Sequence, residues 1–166
     1  MAKLLISLTF LTACAGQVYS PSSFQYAALD GYDFMIGETK FYVKDNAPVW
    51  ANLPEVMGKL QKEFNAPSED FWAVPVEIYP MDTILPNHGE ETQAAYYWYD
   101  EMYSMPCIRI RVYYTNALYS SLSHEFAHRA DHFLNPDADR DLHDEGWLSL
   151  YNELRAIQGL PPSAAH

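Results

Sequence analysis

The chain has 166 residues, 49% of them apolar and 15% aromatic, which suits one domain with a sizeable core and excludes a disordered polymer. Its formal net charge of -12 argues against nucleic acid and against an anionic membrane face as partners.

The chain begins with a targeting segment. Lys3 supplies a short positive region, and Leu4 to Leu11 is an apolar run too short to span a bilayer as a mature helix. Residues 1–13 therefore read as a signal peptide. Leu11-Thr12-Ala13-Cys14 resembles the lipobox of bacterial lipoproteins, in which the signal is cut before the cysteine and the sulfur is lipidated. The resemblance implies an exported chain anchored through Cys14 in the bacterial cell envelope. Ala15, rather than Asp, after the cysteine implies the outer membrane in a Gram-negative cell. Ala13-Cys14-Ala15 also fits an ordinary secretory cleavage site, so secretion without an anchor stays open. Residues 14–23 read as a polar tether and 24–166 as a single domain, with no further segment apolar enough to cross a membrane. With Cys14 lipidated or removed, Cys107 has no internal disulfide partner, and in its apolar run it reads as a small buried hydrophobe.

Glu38 to Asp45 alternates and is rich in Phe, Tyr and Val, the pattern of a strand. Pro48 to Phe64 reads as a helix, with Leu53, Val56, Met57, Leu60 and Phe64 at helical spacing. Phe71 to Tyr79 reads as a second strand, in which Pro75 predicts an edge or a bulge. Pro80 to Pro106 carries no clear period, and its run Tyr96-Tyr97-Trp98-Tyr99 fits a hairpin or an aromatic loop. His88 in that stretch reads as a surface histidine. Cys107 to Tyr114 is the clearest strand, with Ile108, Ile110 and Val112 on one face and Arg109, Arg111 and Tyr113 on the other.

A helix capped by Asn116 and ended by Asn135-Pro136-Asp137 follows, and it carries His124-Glu125-Phe126-Ala127-His128. Histidines four apart on a helix differ by about 40° around the axis and about 6 Å along it, so both imidazoles can reach one ion. Two neutral nitrogen donors and an adjacent carboxylate base are what metal-assisted peptide hydrolysis uses. Leu118, Leu122, Phe126 and Ala130 form the apolar stripe of this helix, while His124, His128 and Asp131 fall on another face. Asp131 reads either as a group orienting a ligand histidine or as an ion-pair partner of Arg129, Arg140 or Arg155. Asp137-x-Asp139-x-Asp141 lacks the glycine and the bidentate glutamate of a calcium loop and reads as a solvated connection. A last helix, about Asp144 to Gln158, is stopped by Gly159 and Pro161-Pro162.

The order strand, helix, strand, strand, motif helix, second helix, together with H-E-x-x-H, resembles a zincin metallopeptidase. The resemblance implies an α+β fold in which a small twisted sheet packs on the motif helix and an edge strand lines the substrate cleft. It also implies Zn²⁺ held by His124 and His128 and a water activated by Glu125 as general base. Catalytic zinc sites usually take a third protein ligand. His132 lies about 12 Å along the helix from His124, too far to share an ion, and Asp131 stands where the metzincin pattern needs a glycine. Glu145 and Glu153 compete for the place, as in gluzincins, where a following helix supplies a glutamate. Asp144-Glu145-Gly146-Trp147 resembles a ligand stretch of some aminopeptidases, while Asn152-Glu153-Leu154-Arg155-Ala156 is similar to the ligand helix of several small zincins. Glu153 is preferred because a mid-helix position is better held than a first turn, and His143 ranks behind both glutamates. The expected function is an exported zinc metallopeptidase acting on a peptide or protein. The alternative is a non-catalytic envelope lipoprotein of the same fold that binds a metal or a partner. The strand around Arg109 to Tyr113 is expected to pair with substrate backbone, and Tyr151, His143 and Arg155 are candidates for stabilising the oxyanion.

Overall fold

A computed structural model of the chain describes residues 31–85, 95–100, 105–112, 115–136 and 143–164. The proposed signal peptide, lipobox and tether, His88, and the run from Asp137 to Asp141 lie outside the described residues. The fold is α+β. Strands β1 (Phe34–Ile36), β2 (Thr39–Val43), β3 (Pro75–Tyr79), β4 (Ala95–Asp100) and β5 (Met105–Arg111) form one sheet in the order β1-β2-β3-β5-β4. Among the described residues three helices accompany it: α1 (Leu53–Glu63), α2 (Thr115–Leu134) and α3 (Glu145–Ile157). No helix among the described residues is long and apolar enough to cross a membrane.

Strands β1 and β2 are joined by a tight turn at Gly37, whose φ of 60° lies in the left-handed region. Gln61 of α1 lies so close that an added Cβ at Gly37 would collide with its amide. That amide donates to Ile36 O at 2.8 Å and so pins the turn to α1. Helix α1 connects β2 to β3, which pair in parallel. The strand expected from Phe71 begins only at Pro75. Ser68 accepts the N–H of Asp70 and starts a short 3-10 turn over Glu69–Trp72 that draws Phe71 and Trp72 into the core. Pro75 marks neither an edge nor a bulge, since β3 lies between β2 and β5. As the first residue of its strand, it removes little from the ladder.

The expectation that Arg109 to Tyr113 offers an open edge is corrected by the pairing. β5 is parallel to β3 on one side and antiparallel to β4 on the other, so its backbone is used on both. The edge beside α2 belongs to β4. The two faces of β5 do differ. Ile108 and Ile110 join the core with Phe41, Val76, Ile78, Leu122 and Phe126, each such side chain contributing about 1.5–3 kcal/mol on burial. Arg109 and Arg111 are buried on the opposite face. There the Glu77 carboxylate accepts from Arg109 Nε and from the Tyr79 hydroxyl at 3.0 Å, and it pairs with Lys44 at 3.2 Å.

Helix α2 starts at Thr115, so Asn116 lies inside it rather than capping it. Its buried residues Ala127 and Ala130 let α3 approach closely, and α3 presents Trp147, Tyr151 and Leu154 from its own buried side. Asp144 caps α3 by accepting the N–H of Trp147 at 2.9 Å.

Candidate metal centre

The site is built where α2 and the start of α3 meet. His124 and His128 lie one turn apart on α2, on the border between its buried stripe and the surface. Trp147 and Tyr151 sit at the same spacing on α3 and pack edge-on or tilted against them, with the His124 ring 4.8 Å from Trp147 and 5.4 Å from Tyr151. The residue just before the α3 cap is His143, and its ring lies 4.1 Å from Trp147. This aromatic seat aims the imidazoles at one another. His128 Nε2 is 3.2 Å from His124 Nε2 and 3.1 Å from His143 Nε2. Among the described residues, His124, His128 and His143 could hold a metal ion, with donor atoms all within 4.8 Å of one another.

Burial, reinforced by the neighbouring His143, lowers His124 to a pKa of about 4. Burial, then His124 and His143, lowers His128 to about 3. Both rings are therefore neutral near pH 7 and keep the lone pairs that a metal needs. Imidazole donors suit zinc, copper, iron or nickel rather than calcium or magnesium.

Glu125 lies a little further around α2 and is buried, 2% exposed. Burial pushes its carboxyl well above the ordinary carboxylate range, and the backbone N–H of Tyr97 opposes that by donating to it. Among the described residues its Oε2 has no hydrogen-bond partner. Beyond Glu125 on the same side, Arg129 donates to the carbonyls of Phe71 at 2.6 Å and Asp70 at 2.9 Å. His132 lies apart from the three histidines, with Nδ1 2.9 Å from the Tyr97 hydroxyl. Asp131 accepts from Asn135 at 2.8 Å, and no ion pair joins it to Arg129 or Arg155.

The structure does not bring the preferred third ligand to the histidines. Glu153 is exposed on α3 and lies outside the group, as does Glu145. Glu153 follows Tyr151 by two residues, about 200° around the helix, so burying Tyr151 turns Glu153 to solvent. His143, ranked behind both glutamates in the sequence, stands in that place. It precedes the helix, so helical periodicity cannot weigh it. The usable signal was its position beside Asp144, the cap of the helix whose Trp147 and Tyr151 repeat the spacing of His124 and His128. Cys107 is buried, as its apolar run implied. Comparison with protein-family models, curated proteins and solved structures finds no match to this chain.

Proposed function

We propose that this protein is an exported zinc-dependent hydrolase, most simply a metallopeptidase, with His124, His128 and His143 holding the ion and Glu125 acting as general base. The observation that carries the reading is the convergence of neutral imidazole nitrogens beside a carboxyl on one helix. In a tetrahedral site, nitrogens at about 2.0–2.1 Å from zinc lie roughly 3.3–3.4 Å apart. Two of the separations, 3.1 and 3.2 Å, are close to that, and all three donors lie within 4.8 Å of one another, which supports a shared ion. Zinc held there would acidify a water and polarise a scissile carbonyl. Glu125 would take the proton from that water and pass it to the leaving amine. A dication among uncharged ligands favours the ionised form of a nearby carboxyl, offsetting the burial that raises Glu125. The Cys14 lipobox-like run supports export and a lipid anchor.

The depth of Glu125 favours a second reading, in which the centre holds its metal without catalysis in an envelope lipoprotein. One variant separates the two. The wild-type protein should carry about one zinc per chain by elemental analysis. Glu125→Gln should keep that zinc and lose hydrolysis of labelled casein by about a hundredfold or more. A Glu125→Gln protein as active as the wild type rejects catalysis through this carboxyl, and a well-folded wild type that takes up no zinc rejects the centre itself.

A further inference from the structure

We infer that Tyr97, Arg129 and His132 form a clamp that holds edge strand β4 against α2 and thereby fixes the carboxyl of Glu125. Tyr97 is a positioning residue in this account, which rests on the reading of Glu125 as the base. Glu125, Arg129 and His132 follow one another at spacings of four and three, so they share one side of α2. All of them meet Tyr97. The backbone N–H of Tyr97 donates to Glu125. Its side chain, 9% exposed, lies beside Arg129, and its hydroxyl is 2.9 Å from His132 Nδ1.

The chemistry of the groups fixes the direction of each bond. A guanidinium only donates, so towards Arg129 the phenolic oxygen can only accept. The hydroxyl proton is then satisfied by pointing at His132 Nδ1, which accepts. Arg129 is itself held by the carbonyls of Phe71 and Asp70, and its guanidinium lies 4.9 Å from the Phe133 ring centre and 5.7 Å from that of Phe71. The Tyr97 ring is thus anchored to groups that cannot easily shift, and its backbone N–H moves with the ring. Tyr97 pairs with Ile108 of β5, and among the described residues β4 has no strand on its other side. A donor reaching α2 therefore comes from the open edge, where without a tether the strand would be the most mobile part of the sheet. One carboxyl oxygen is occupied by this N–H, and among the described residues Oε2 has no hydrogen-bond partner.

The test uses the full-length zinc-loaded chain. Amide hydrogen exchange at Tyr97 should speed up about tenfold in His132→Leu, the loss of roughly one hydrogen bond, while Ile108 stays unchanged. His132→Asn, whose side-chain oxygen can stand in for Nδ1, should restore protection. Tyr97→Phe should match His132→Leu, and the double variant should be no worse than either, since both remove one interaction. On labelled casein, His132→Leu should lower kcat about 10–100-fold with KM and zinc content unchanged, and His132→Asn should recover most of it. Unchanged Tyr97 exchange in His132→Leu, or identical behaviour of the Leu and Asn variants, overturns the clamp. Faster exchange at Tyr97 with kcat intact overturns its positioning role. If the wild type binds no zinc and cleaves nothing, the functional reading falls by itself, and the exchange measurements alone uphold or overturn the clamp.

Discussion

His124 and His128 are carried by a long helix, whereas His143 is held by its place before the α3 cap and by the Trp147 ring against it. Removing its imidazole should therefore leave the fold intact and open the centre. His143→Ala is expected to weaken zinc binding by more than about a hundredfold, and Glu153→Gln to leave it unchanged, both read by competition with a chromogenic chelator. Equal losses in the two variants would restore glutamate as a ligand. Acid should act through the other two histidines. In the unfolded chain they take protons near their ordinary 6.5, but in the folded chain only near 4 for His124 and 3 for His128. Below 6.5 the unfolded state binds more protons, so acid favours unfolding. Their contribution to the stability of the zinc-free protein is whole above about pH 6.5. It is lost as pH falls towards 4 and then 3, and urea midpoints across that range should show the decline. His124→Ala should flatten it.

Helix α3 does two jobs at the site: its interior supplies the aromatic seat and its first turn fixes the position of His143. Asp144 joins them, since its side chain closes the first turn by accepting from Trp147 N. Asp144→Ala should cost about 1 kcal/mol of stability. It should also reduce zinc affinity, because His143 is the adjacent residue; Asp144→Ser, another capping residue, should recover both. Thermal melts with and without chelator would separate the two effects. This helix also shows why the sequence was easier to read for elements than for ligands. Trp147, Tyr151 and Leu154 stand at helical spacing in the sequence, but nothing in that spacing says which flank meets α2. The pattern was compatible with Glu153 near the interface until packing turned it outward. Strand β5 gave a similar lesson, since its alternation was legible and its position between β3 and β4 was not.

Across the whole molecule, the sheet separates the site from a second polar interior. Glu77 accepts from Arg109 and Tyr79 and pairs with Lys44 in a layer that is almost fully buried. Burial lowers Lys44 from its ordinary value while Glu77 opposes the change. Taking away the carboxylate leaves its cations in a place where water cannot replace it. Glu77→Gln should therefore destabilise the protein by about 3–5 kcal/mol, measured by urea unfolding, while the folded fraction keeps its full zinc content. Loss of zinc from a folded Glu77→Gln protein would show that the two interiors are coupled.

The sequence by itself determined the local terms. Apolar spacing set the three helices, alternation set β2 and β5, and the fourfold spacing put His124 and His128 on one side of α2 with Glu125 close by. These follow from periods of a few residues, which the chain carries without reference to distant parts. Only the tertiary structure decided what faces what: β4 at the open edge, Tyr97 against Glu125, His143 rather than Glu153 beside the two histidines. The reason is physical. The rotation of α3 against α2 is set by burying Trp147, Tyr151 and Leu154 at once, and that choice is a property of the packed core rather than of any segment within it.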